Sequence, residues 1–193
     1  MMITREKALE LIRKYIKTEN TIKHMLALEA IMKALARKLE PEKETEWAMA
    51  GLLHDLDYET VDQQTYKDHG LKTIELLKEA GVDLPESVYQ AITAHTYDWL
   101  GKEYASQTKM DWAIYIADSL TGLIVATALV KPDKKLTSVE VKSIKKKFKD
   151  KAFARGTRRE AVSLCEAKLS IPLDEFSAIS LKAMQEISDE LGL

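Results

Sequence analysis

The sequence predicts an all-α protein, and three observations carry that reading. Apolar residues recur at spacings of three and four almost everywhere, the repeat of an amphipathic helix. Sustained apolar–polar alternation, the mark of a half-buried strand, is nearly absent. β-Branched residues do not cluster.

The elements follow in order. A first amphipathic helix is expected from about Thr4 to Ile16. A second begins near Asn20 or Thr21, both good N-caps, and places Leu28, Ile31 and Leu35 on one face. A third runs from about Pro41, suited to a first turn, to Leu53. A fourth starts near His69 and stops at Gly81, a C-cap in "KEAGVDLP". A fifth follows Pro85 and reaches about Ala94. The sixth is the apolar run from Trp112 to Val130, nineteen residues with a single charge, Asp118. That run barely meets the length of a membrane span, contains Ser, Thr and Gly, and has no companion, so it is read as a helix buried on all sides. "TSVE" (137–140) and "TRRE" (157–160) match the S/T-x-x-E capping box and open two further helices. A last helix spans about Asp174 to Leu191. No boundary is sharper than the turn near 131 to 137, so residues 1–193 are expected to form a single domain.

With 193 residues, 46% apolar and 31% charged, the chain can bury a substantial core. A formal net charge of −2 implies neither nucleic-acid nor membrane binding for the whole chain. One cysteine, Cys165, excludes an internal disulfide framework, fits a reducing compartment and is expected to pack as a small apolar residue. The opening "MMITREKALELIRKYIK" alternates charge with apolar residues, unlike a signal peptide, so a cytoplasmic location is expected. No Walker-type loop, G-x-S-x-G elbow or C-x-x-C pair is present.

The chemistry is carried by four histidines, His24, His54, His69 and His95, each on or beside an apolar helical face. His24 is in register with Leu28, Ile31 and Leu35; His54 continues the Trp47, Ala50, Gly51 face. Any one of them is adequately explained as a hydrogen-bonded structural histidine. Four together would desolvate four polar rings, each needing its own partner, whereas neutral imidazole is the commonest protein metal ligand. Asp118 inside an apolar helix and Asp55 beside His54 raise the same demand for a cation. The six residues can serve one octahedral ion with donors to spare, or two ions bridged by a carboxylate.

The order His24, then His54-Asp55, then Asp118 resembles the H…HD…D signature of the HD-domain superfamily of metal-dependent phosphohydrolases, over roughly residues 20–130. "AGLLHDLD" is close to the usual context of the HD pair, and "IADSL" to that of the last aspartate. His69 in "DHG" and His95 in "AHT" match the two extra histidines of bimetallic branches, HDIG-type and diadenosine tetraphosphate hydrolase-like. The resemblance implies a compact multi-helix HD-domain bundle at about 20–130 with a helical extension at about 131–193. It implies one or two divalent ions (Fe, Mn, Ni or Zn) held by His24, His54, Asp55, His69, His95 and Asp118. It further implies hydrolysis of a phosphomonoester or phosphodiester by a metal-activated water, on a small phosphorylated metabolite, foremost a nucleotide. Asp55 and Asp57 are then the catalytic carboxylates, with Asp57 orienting the water or taking its proton, or else only ending the helix. Many relatives carry Lys four residues after the HD histidine; here Tyr58 stands there, either to donate to a phosphoryl oxygen or to pack.

Cations for the phosphate are expected from residues 131–159, which hold twelve Lys or Arg against three acids. Lys131, Lys134 and Lys135 follow the Asp118 helix and are expected near the pocket mouth; Arg155, beside Gly156 in a loop, is a further anion contact. Lys145 to Lys149 read as a solvated face around Ile144 and Phe148. A small phosphorylated molecule is the expected partner, nucleic acid and membrane are not, and a homodimer is left open. Two alternatives remain on the sequence: an HD-fold di-iron oxygenase, and a non-catalytic nucleotide-sensing module.

Overall fold

A computed structural model describes residues 2–193, and every regular element among them is helical. Helix α1 (Arg5–Tyr15) is capped by the Thr4 hydroxyl, which accepts from the Lys7 amide. Helix α2 (Glu19–Leu39) starts before Asn20 and Thr21, and its N-cap, Thr18, makes no side-chain cap. The carboxylate of Glu59 does that work from afar, accepting from the amides of Lys17 and Thr18 at 2.9 and 2.8 Å. A carboxylate beside a helix N-terminus is favoured by the aligned peptide dipoles. These amide donors hold Glu59 below the usual carboxylate range.

A 3₁₀ turn at Pro41–Lys43 leads into α3 (Glu44–Leu53), which packs along α2. Gly51 permits that approach: a Cβ there would sit 2.7 Å from the Leu28 carbonyl oxygen, closer than any side chain tolerates. Helices α4 (Leu71–Glu79) and α5 (Glu86–Ala94) follow, with a short α6 (Tyr97–Leu100). Helix α7 (Lys109–Leu129) begins three residues before the apolar run, at a capping box the E/Q pattern misses. Its Thr108 hydroxyl accepts from the Asp111 amide while Asp111 accepts from the Thr108 amide. Helix α7 alone, among the described residues, is long and apolar enough to span a membrane, and two thirds of that window is buried by its neighbours.

Helices α8 (Val141–Lys149), α9 (Arg159–Val162), α10 (Cys165–Leu169), α11 (Leu173–Glu186) and α12 (Ser188–Leu191) complete the chain. The single helix expected at the C-terminus is thus split after Glu186. Neither expected capping box forms. In "TSVE" the Ser138 hydroxyl donates to Asp133 instead, within a 3₁₀ turn. In "TRRE" the Arg159 guanidinium collects the carbonyls of Phe148, Asp150 and Phe153, so this stretch is built by a half-buried fork rather than by Thr157. The core gathers Trp47, Phe176 and the aliphatic faces of α2, α3, α5 and α7. Helix α11 covers α2 and α7, and Cys165 packs in the interior.

Candidate metal centre

Four helices and one loop converge where α2, α3, α5 and α7 meet. His24 projects from α2, His54 caps the end of α3, His95 caps the end of α5, and Asp118 comes from α7. Asp55 and His69 come from the turns after α3. Successive imidazole rings stand edge to face, with centroids 4.9–5.1 Å apart.

Each ring is fixed through Nδ1. His54 Nδ1 donates to the Gly51 carbonyl at 2.9 Å, and His95 Nδ1 to the Ile92 carbonyl. His69 Nδ1 lies 2.7 Å from Asp57 Oδ1. His24 Nδ1 lies 3.0 Å from the Thr121 hydroxyl, which itself donates to the Asp118 carbonyl and so accepts from the ring. A carbonyl can only accept, so in His54 and His95 the proton sits on Nδ1 and the Nε2 lone pair faces inward.

The inward atoms crowd one another. Nε2 of His24 and of His54 are 3.2 Å apart. Asp55 Oδ1 lies 3.3 Å from His54, 3.3 Å from His69 and 3.4 Å from His95, while Oδ2 lies 3.6 Å from His24. Asp118 Oδ1 is 3.1 Å from His24 Nε2. Adjacent donors on an octahedral ion with bonds of about 2.1 Å are about 3 Å apart, which is the spacing found here. The Nε2 of His95 is buried with no hydrogen-bond partner, and a cation bound to its lone pair would satisfy it. The donor set therefore fits a divalent metal. Two triads, His24–His54–Asp55 and Asp55–His69–His95, could each hold an ion, and they share Asp55.

Burial alone would raise Asp55, but His54, His69 and His95 hold it well below its ordinary range. Burial would likewise raise Asp118, and His24 and Arg158 overcome it to pull the group far down. Against burial, Asp118 and Asp55 raise His24, and Asp55 and Asp57 raise His69 to about 10. His95 moves the other way, pushed down chiefly by burial. The centre is electron-rich, and cations are what it stabilises.

A family model for the HD domain matches residues 21–123. The chain belongs to the HD domain family. No solved structure matches it. In this HD-domain protein the family segment contributes all six donors, and the metal-ligand set expected from the sequence is brought together in space.

The remaining expected residues divide. Asp57 is fully buried and does not line the pocket, which corrects its proposed role toward water. Its carboxylate is occupied by His69 Nδ1 and by the amides of Gly70 and Thr73 at 2.7 and 3.1 Å, so it orients His69. Gly70 is required there: its φ is +87°, and a Cβ would lie 3.1 Å from the Ile92 carbonyl. Tyr58 does line the pocket, and a hydrogen bond with Tyr66 together with burial pushes it up to about 12, so it is an O–H donor near neutral pH.

Lys131, Lys134 and Lys135 are not brought to the pocket. They follow the far end of α7, whose last residue, Leu129, is already about 16 Å along the axis from Asp118, and none of them lines the pocket. Arg155 is exposed and outside the lining as well. Arg158 is the cation that enters; it lies within the expected basic stretch, but the sequence reading singled out other residues there. Its guanidinium donates to Asp118 Oδ2 at 2.8 Å, to the Ser119 hydroxyl at 2.9 Å and to Asp98 at 3.3 Å. It lies over the rings of Trp99 and Tyr115, with centroids 5.2 and 4.7 Å away. The only hint in the sequence is the Arg-Arg pair, of which Arg159 builds the loop and Arg158 faces the cavity.

The centre opens into a cavity of about 480 Å³. One wall is aromatic: Tyr66 stacks between Tyr58 and Trp99, with centroids 6.2 and 5.2 Å away.

Proposed function

We propose that this HD-domain protein is a metal-dependent phosphohydrolase of the bimetallic type, acting on a small phosphorylated metabolite, foremost a nucleotide. The observation that carries the reading is the ring of inward Nε2 atoms around a shared Asp55, opening into a pocket whose cation is Arg158. Divalent ions bound there would lower the pKa of a water and neutralise charge developing on a phosphoryl group.

The chain's own residues do the rest. Asp55, reaching both triads, sets the spacing of the centre. Asp57 keeps the Nδ1 proton of His69 in place, so that Nε2 remains a donor atom. Arg158, its plane held over Trp99 and Tyr115, presents N–H groups to an anion at the pocket side of Asp118. Tyr58, standing where relatives carry lysine, offers an O–H to a phosphoryl oxygen. The Tyr58–Tyr66–Trp99 wall supports a substrate with an aromatic ring, since base-on-aromatic stacking is favourable and tolerant of base identity.

The test is metal analysis of purified protein combined with phosphate release from a panel of nucleotides before and after EDTA. The expected result is Mn, Fe, Ni or Zn in the protein and turnover that vanishes on chelation and returns on reloading. Turnover indifferent to complete metal removal would overturn the reading. Oxygen uptake without phosphate release would turn it toward the oxygenase chemistry that the same donors can support.

A further inference from the structure

A second cavity, of about 340 Å³, adjoins the first, and the two share Asn20, His24, Thr121 and Gly122 as lining residues. The annex runs between one face of α2 (Asn20, Lys23, Ala27) and one stripe of α7 (Gly122, Val125, Leu129), and Leu191 and Leu193 close it at the C-terminus. Asp118, Gly122, Val125 and Leu129 are spaced four, three and four apart, so the stripe leads straight from the metal donors into the annex. Its walls are mostly aliphatic, with the Lys23 ammonium among them.

Gly122 stands at the junction. A glycine in a helix interior is unfavourable by about 1 kcal/mol relative to alanine. Close packing explains Gly51, but a Cβ on Gly122 would meet no protein atom within 4 Å. It is an exposed glycine inside an otherwise apolar and largely buried helix. Nothing in the fold asks for it, and what its missing side chain leaves clear is the passage between the two cavities.

We infer that the substrate is a phosphodiester that straddles the centre, one ester group against the aromatic wall and a mostly apolar second ester group in the annex. This rests on the phosphohydrolase reading and narrows it, since a phosphomonoester has no second substituent to place. In the reaction, the oxygen of a water molecule bonds to phosphorus and one P–O ester bond breaks. The released oxygen takes up a proton and departs as an alcohol or phenol, leaving a phosphomonoester.

The probes are bis(p-nitrophenyl) phosphate and p-nitrophenyl phosphate, assayed with the manganese-loaded protein of residues 1–193. The wild type should cleave the diester with the higher kcat/KM. Gly122→Leu, whose Cβ enters open space at the junction, should lower the diester-to-monoester ratio of kcat/KM about tenfold. Val125→Phe, narrowing the annex beyond the junction, should shift the ratio the same way and covers the case of a poorly folded Gly122→Leu. Cleavage of the monoester alone by the wild type, or an unchanged ratio in folded variants, overturns the straddling substrate and leaves the hydrolase reading standing. Cleavage of neither probe overturns both.

Discussion

The two ends of the metal centre are built differently. At one end His69 and His95 are buried beside Asp55, and their Nδ1 atoms are pinned by the buried carboxylate of Asp57 and a main-chain carbonyl. At the other, His24 and Asp118 are partly exposed and held by a threonine hydroxyl and by Arg158, a side chain from a distant loop. The first end is fixed by the same groups that close the turns around it. The second is a set of exchangeable polar contacts facing the cavity, where an anion can take over hydrogen bonds now made within the protein. Rigidity sits at the buried end and adaptability at the open one.

Four substitutions or conditions break or sharpen that contrast. Asp55→Ala removes the one group common to both ends. Metal stoichiometry by elemental analysis should fall toward zero, and turnover should drop by several kcal/mol in barrier height, on the order of a thousandfold. Retention of both metal and turnover would mean that Asp55 does not bridge. Asp57→Asn disturbs only the buried end: competition with a fluorescent chelator should show affinity for that ion weakened roughly 10–100-fold, while His24 and Asp118 keep their geometry.

Arg158→Ala disturbs only the open end. It removes a charge-assisted contact in a half-exposed position, so KM should rise about tenfold, with metal affinity close to that of the wild type. An equal loss of metal and substrate would erase the distinction between the ends. The fourth test is pH. His24 and His69 are held toward the protonated form in the metal-free protein, His69 with a value of about 10. A ring must lose its Nε2 proton to bind, so metal affinity should climb from pH 6 to pH 8, by up to roughly tenfold per unit for each proton displaced. Isothermal titration in buffers of different ionisation enthalpy counts those protons, and a flat profile would refute the assignment.

The same contrast explains what could be read from the sequence. The convergence of the six candidate ligands was legible because five of them sit at or beside a helical register shared with core residues, and His69, in the turn before α4, leads into the buried face of Thr73 and Leu76; the apolar face of α2 that holds Leu28 and Ile31 also aims His24 inward. The fold class was legible from periodicity for the same reason. Capping was less so, because α2 is capped by Glu59 from 41 residues away and α7 by an aspartate where the pattern asks for glutamate. The role of Asp57 was hidden because proximity in sequence to Asp55 says nothing of direction: two residues on, its carboxylate turns to the amides of Gly70 and Thr73. The cation that lines the pocket was not singled out within its basic stretch, for a different reason. Following Asp118 along its helix suggested Lys131, though the eleven helical residues from Asp118 to Leu129 already put about 16 Å between the centre and the helix end. Arg158 reaches the centre through tertiary folding alone, and no local pattern records it.

The clasp that Arg159 makes on the carbonyls of its own loop has a consequence for where this protein can be cut. The HD match ends at residue 123, yet the guanidinium that meets the pocket is 35 positions further on. A chain cut where the match ends would lose that guanidinium together with the last turns of α7 and the cover that α11 lays over α2 and α7, so the floor of the cavity and its cation go together.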